Sequence, residues 1–286
     1  VWIDRLAAEA DGIIPVGRIK PHTAFRGPYE SGVVKMLVIG LGKQAGADSC
    51  HDAGFGALAE RLPAYARVIL DNAPVLFGIA LLENAYDETC RIEALPADRI
   101  LAEEPALLEE ANTRMPRILF DPLDVLIVDR IGKNISGDGM DPNITGTFMT
   151  PFASGGISAN RVTVLDLTPE TGGAALGMGM ADTSTRRLFD KIDMEETYPN
   201  AITCTVLDFA KIPLILPNDR EAIQCALRCA VGADRAHPRI VRIADTLHIE
   251  HLLISEALLD EARANPSIEI LGEPAYLPFD INGNLL

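Results

Sequence analysis

Residues 124–129 read DVLIVD, a continuous run of branched apolar residues. Such a run is too short to cross a membrane, and its lack of alternation predicts a strand buried on both faces, as in a parallel sheet. The second half of the chain repeats the theme. RVTVLDL (161–167), IPLILP (212–217), RIVRI (239–243) and IEIL (268–271) predict strands, and TSTRRLFDKI (183–192), DREAIQCALRCAV (219–231) and EHLLISEALLDEARA (250–264) predict helices between them. Strands alternating with helices are joined by right-handed crossovers and form a largely parallel sheet.

The first half reads similarly. DGIIPVG (11–17) predicts a strand, residues 31–43 a glycine-containing helix, and GALAERLPAYA (56–66) a helix interrupted at Pro63. RVILDN (67–72), VLFGIALLE (75–83) and TCRIEAL (89–95) are strand-like, and residues 96–115 predict a helix with Pro96 in its first turn. Pro116 and Pro122 bracket a change of pattern, which places a domain junction near residue 120. The expectation is an α/β protein of two domains, 1–120 and 121–286, with largely parallel sheets and an active-site cleft between them. The final residues, from about 272 onward, are expected to return to the first domain.

A chain of 286 residues with 48% hydrophobic content supports two such cores. Its 25 Lys and Arg against 41 Asp and Glu give a net charge of −16, which argues against nucleic-acid and anionic-membrane partners. Five cysteines match neither a disulfide framework nor a zinc site, and Cys225 and Cys229 are predicted to be buried thiols on one helix. A reducing, cytoplasmic setting is the default expectation. The chain begins without Met, inside what reads as an amphipathic helix, so upstream residues are expected.

Against that acidic background, residues 17–54 gather Arg18, Lys20, Arg26, Lys35 and Lys43 with two of the five histidines, His22 and His51, among several glycines. GLGKQAG (40–46) lacks the residue order of a phosphate-binding P-loop, and GMGMAD (177–182) lacks the third glycine of a dinucleotide fingerprint. His22 follows a predicted strand, where a parallel sheet delivers side chains to its carboxyl end. Lys35 stands among apolar residues in SGVVKMLVIG (31–40). Taken singly, each of these residues has an ordinary structural reading.

Together, ADGIIPVGRIKPHTAFRGPYESGVVKMLVIGLGKQAG and CHDAGF resemble the signature of the nickel-dependent lactate racemase family, isomerases that carry a nickel pincer nucleotide. The resemblance implies that His22, after Pro21, is an acid/base catalyst. It further implies that Lys35 is the catalytic residue attached covalently to the cofactor and that His51, sixteen residues on, binds nickel. The stretch RGPYESG departs from the family pattern, which marks a divergent branch whose substrate need not be lactate. The resemblance also implies a second acid/base histidine and an Asp/Arg motif upstream of Val1. Its implied partners are a 2-hydroxy acid and cofactor-biosynthesis proteins, with homo-oligomers possible.

The chemistry fits these residue types. An α-hydrogen beside a carboxylate leaves more readily as hydride than as a proton, so a cationic pyridinium takes the hydride while a neutral imidazole, His22, takes the hydroxyl proton. His51 offers a neutral nitrogen donor suited to nickel(II). Arg18, Lys20, Arg26 and Lys43 are expected to bind cofactor phosphate and substrate carboxylate. Beyond the buried strand, the loop RIGKNISGDGMDPN (130–143) offers Lys133, Asn134, Asp141 and Asn143 for substrate, with Ser136 and Asp138 beside them. His237, His248 and His251 read as structural. The alternative is a non-catalytic or truncated relative that binds a small anion; a zinc hydrolase ranks third, since no further ligand stands at suitable spacing from His22 and His51.

Overall fold

The computed structural model describes all 286 residues, which divide into two compact units. The first comprises Val1–Pro116 with Thr150–Ser154 and Ile202–Val206; the second comprises Arg117–Met149, Gly155–Ala201 and Leu207–Leu286. Both are α/β, and five of the seven strand pairings are parallel.

In the first unit a three-stranded sheet has the order β1 (Val16–Arg18), β2 (Phe77–Glu83), β3 (Thr89–Pro96). β1 runs parallel to β2 with Val16 opposite Ile79, and β2 runs antiparallel to β3. Alternation along β2 buries Gly78, Ala80 and Leu82, the pattern of a sheet covered on one face. A short helix, Val33–Lys35, passes directly into a π-helical turn, Met36–Gly40, closed by the Leu41 N–H on the Met36 carbonyl at 2.9 Å. Two glycines let it lie close to the sheet. A Cβ on Gly78 would stand 2.6 Å from Val33 Cγ1, and one on Gly17 would stand 2.9 Å from the Gly32 carbonyl.

Helices Lys43–His51, Leu58–Asn72 and Ile100–Arg114 complete this unit. The run RVILDN, predicted as a strand, instead ends the 58–72 helix. Leu58, Leu62, Ala66 and Ile69 form one buried stripe at helical spacing, and that burial outweighs the backbone bond lost at Pro63. Pro96 closes β3 rather than opening the following helix, which starts at Ile100.

The second unit is a six-stranded sheet in the order β7 (Leu214–Leu216), β6 (Thr183–Thr185), β5 (Ala159–Leu167), β4 (Leu123–Ile131), β8 (Ile240–Ile243), β9 (Leu252–Ile254). All its pairings are parallel except β8 with β9. Val125, Ile127 and Leu165 of the sheet pack on Ala222, Ile223 and Ala226 of the helix Asp219–Cys229. Because those residues form the helix's buried face, Cys225 is only half-buried and Cys229 is exposed, contrary to the expectation for both thiols. Phe279 and Leu285 pack on the same core, so the final residues belong to this unit.

Three further predictions fail here for physical reasons. The start of 183–192 is strand, not helix: buried Thr183 and Thr185 satisfy their hydroxyls on Thr163 at 2.9 Å and the Leu165 carbonyl at 2.6 Å, so a polar sequence fits a buried strand. Within 250–264, Leu252–Ile254 pairs with β8 and only Leu259–Ala264 is α-helical, because an available strand edge overrides local propensity. IEIL finds no partner strand and is irregular.

Candidate active site

The candidate site is assembled in the first unit from the end of β1 onward. After Ile19, Lys20 and Ser31 exchange backbone hydrogen bonds at 3.1 Å and close a loop over residues 21–30. Glu30 organises that loop from inside. Only 5% exposed, its carboxylate accepts the His22 N–H at 2.6 Å, the Gly27 N–H at 3.1 Å and Arg26 Nη1 at 3.3 Å. Arg26 in turn donates to the carbonyls of His22 at 2.6 Å, Phe25 at 3.2 Å and Ser154 at 3.0 Å. Burial raises the Glu30 pKa, against the opposing pull of those N–H groups and Arg26.

The loop sets His22 against aromatic rings. Its imidazole centre lies 4.7 Å from that of buried Phe25 and 5.8 Å from that of Phe55. His51 also meets Phe55, at 5.3 Å and edge-on, so the two imidazoles share one phenyl ring. His51 ends the helix Lys43–His51, and its Nδ1 lies 2.8 Å from the Ala47 carbonyl, one turn earlier. A carbonyl only accepts, so Nδ1 carries the hydrogen and Nε2 keeps its lone pair.

The electrostatics are one-sided. The His22 pKa is pushed well below its usual value, first by burial and then by the charges of Lys35, His51, Arg26 and Lys20. Burial also lowers that of His51, opposed by the bond to Ala47, and Lys35 again contributes. Both rings are therefore neutral at pH 7. Burial pushes the neighbouring Cys50 thiol up to about 11, which leaves it protonated and a poor metal ligand. Two neutral imidazoles thus stand in a partly apolar neighbourhood that the charges of Lys35 and Lys20 reach, in an acidic protein.

Other sequence-predicted cations are engaged elsewhere. Arg18, proposed for cofactor binding, is held by Glu83 at 3.1 Å and lies 3.6 Å from Asp87. Arg26 is the brace of the loop just described. Lys43 is exposed and stands 3.9 Å from Asp4. Among residues named for substrate, Asp141 caps the short helix Pro142–Thr145, accepting the Asn143 N–H at 2.9 Å and its Nδ2 at 2.8 Å. Asn134 accepts the Thr168 hydroxyl at 2.6 Å, and Lys133 is exposed. Those four residues lie in the second unit, on the loop that leaves β4 at its carboxyl end. His237 pairs with Asp234 at 3.2 Å and His248 with Asp245 at 2.9 Å, while His251 is exposed.

No group of three or more His, Cys, Asp or Glu side chains converges to hold a metal ion, and no helix is long and apolar enough to cross a membrane. No family model and no curated protein matches the chain. Among solved structures, it is similar to the lactate racemase apoprotein from Thermoanaerobacterium thermosaccharolyticum, at 15% identity and a TM-score of 0.46. That likeness covers 86% of this chain and 64% of the other, so the chain spans less than two thirds of that protein. A likeness so distant assigns neither family nor activity.

Proposed function

We propose that this chain is an isomerase, a racemase or epimerase of a small 2-hydroxy acid, working with a nickel pincer nucleotide linked to Lys35. The observation that carries the proposal is the grouping of two neutral imidazoles, His22 and His51, about Phe55 within reach of the Lys35 charge.

The residues suit the group. His51, with Nδ1 committed to Ala47, offers Nε2 as a neutral nitrogen ligand fixed in orientation by its backbone bond. Lys35 is half-buried beside apolar neighbours, and an acylated side chain there carries no charge to keep hydrated. When bound, the cofactor would supply a hydride acceptor. The protein's own part is binding and proton handling. Lys20, half-buried and adding positive potential at His22, attracts a substrate carboxylate.

His22 handles the substrate hydroxyl. Its Nδ1 accepts the Ala24 N–H at 3.0 Å, so the neutral ring carries its hydrogen on Nε2 and binds an oxygen as a donor. Taking the hydroxyl proton at Nε2 requires the other tautomer, and therefore release of the Ala24 N–H. The depressed pKa keeps His22 unprotonated and ready for that exchange across the neutral range.

The test is enantiomer interconversion across a panel of 2-hydroxy acids, using protein made in a host that produces the cofactor. His22→Ala is expected to lower turnover by about a hundredfold or more while the Lys35 adduct persists. Unchanged turnover in that variant would remove His22 from the mechanism. Because the charges of Lys35 and Lys20 also suit simple anion capture, a chain that binds 2-hydroxy acids but never interconverts them would favour a non-catalytic binding protein.

A further inference from the structure

Glu104 is an acid in an apolar place. It lies on the helix Ile100–Arg114, on the face shared with Ile100, Leu107, Leu108 and Ala111, and is 1% exposed. No cation is among the groups that bear on it, and burial pushes its pKa up to about 7. An unpaired buried carboxyl opposes folding, so its partners carry the explanation.

Those partners are backbone amides. Oε2 accepts the Val34 N–H at 2.9 Å, and the nearby Val33 N–H also works against the rise in the carboxyl's pKa. Both belong to the first turn of the helix whose third residue is Lys35. The first amides of a helix have no intrahelical acceptor, and the preceding residue, Gly32, has no side chain to offer one. The cap comes from seventy residues away in sequence. Oε1 has no hydrogen-bond partner and presses on Gly32, where an added Cβ would stand 2.4 Å from it and 2.7 Å from Ile19 Cδ1.

The helix needs an outside anchor. It has one α-helical stretch of three residues before the π-helical turn, so its own ladder contributes little. Tyr29 adds a second tie to the same neighbour, donating its hydroxyl to the Leu101 carbonyl. We infer that Glu104 is a positioning residue: by capping the helix from the 100–114 helix it fixes where Lys35 stands relative to His22 and His51. The inference rests on the reading of Lys35 as the attachment residue, but its test reads the amine itself.

Trace acetylation of the cofactor-free chain, mapped by mass spectrometry, reports the reactivity of Lys35 against exposed Lys43 as internal reference. Amide hydrogen exchange at Val33 and Val34 reports the cap, with Leu82 as control. Glu104→Leu keeps the volume and removes the acceptor. It should raise Lys35 acetylation several-fold and lower Val34 protection about tenfold, with Lys43 and Leu82 unchanged. Glu104→Gln retains an acceptor oxygen and should stay within about twofold of the native chain. Should Glu104→Leu not fold, Gly32→Ala displaces the carboxyl by contact and should give the same Lys35 response. Unchanged Lys35 labelling and Val34 exchange in a folded variant of either kind would overturn the inference, as would a uniform rise that includes Leu82. Absence of a cofactor adduct on Lys35 would sink the site reading while leaving this result standing.

Discussion

His51 turns its Nδ1 onto the carbonyl oxygen of Ala47, 2.8 Å away and one helical turn earlier. That bond fixes the ring's tautomer and direction before any ligand arrives. If Nε2 binds nickel in the loaded protein, His51→Ala should lower the metal-to-protein ratio by about tenfold or more. Lys35 should keep its adduct in that variant. Plasma emission spectrometry beside intact mass measures both, and full nickel retention would remove His51 from the ligand set.

Glu30 stabilises the His22 loop through the two amides and the guanidinium that converge on it. Glu30→Ala leaves the His22 and Gly27 amides without acceptors and Arg26 without its carboxylate. The expected loss is about 2–3 kcal/mol, the lower end for a broken buried pair because Arg26 is partly exposed. Urea denaturation checks it, with Glu30→Gln expected to lose less.

Glu104 also sets a pH dependence. Its folded pKa of about 7 lies above the unfolded value of 4.5, so the folded state holds more protons between these limits. Its contribution to stability is therefore fully present below about pH 4.5 and lost as pH rises through about 7. Glu104→Gln cannot ionise, so its stability relative to the native chain should improve from pH 5 to pH 8, by at most ~3 kcal/mol. Paired melting curves at the two pH values report the difference, and a gap that does not widen with pH would contradict the assignment.

Gly32→Ala tests packing rather than charge. The new Cβ meets Ile19 Cδ1 and the Glu104 carboxyl, the ends of two buried side chains that must shift to admit it. A loss of about 1–3 kcal/mol is expected from overpacking. Gly137→Ala, where nothing lies within 4 Å, should change little and serves as control.

Much of the architecture is legible in the sequence, because DVLIVD and RVTVLDL leave few options except central parallel strands, and β4 and β5 are those strands. The TST strand is not legible, since its polarity is resolved only by hydroxyl partners on β5. The nearness of His22 and His51 follows from local features, a short loop after β1 and a helix that brings the chain back. Phe55, Glu30 and Glu104 escape such reading for different reasons. Phe55 matters as a ring between two imidazoles, Glu30 as the centre of a loop whose charges look solvent-bound, and Glu104 through a contact seventy residues distant. The partners of Arg18 and Arg26 are not legible either: Arg18 pairs with Glu83 and Arg26 with the carbonyls of His22 and Ser154.

The central claim is that Lys35 carries the cofactor. Intact mass of the chain from a host that makes the nickel pincer nucleotide measures this directly, with peptide mapping to locate any adduct. The predicted result is a single covalent addition on the peptide containing Lys35, absent from Lys35→Ala and retained in His22→Ala. An unmodified native chain from that host, or an adduct that survives Lys35→Ala, would contradict it.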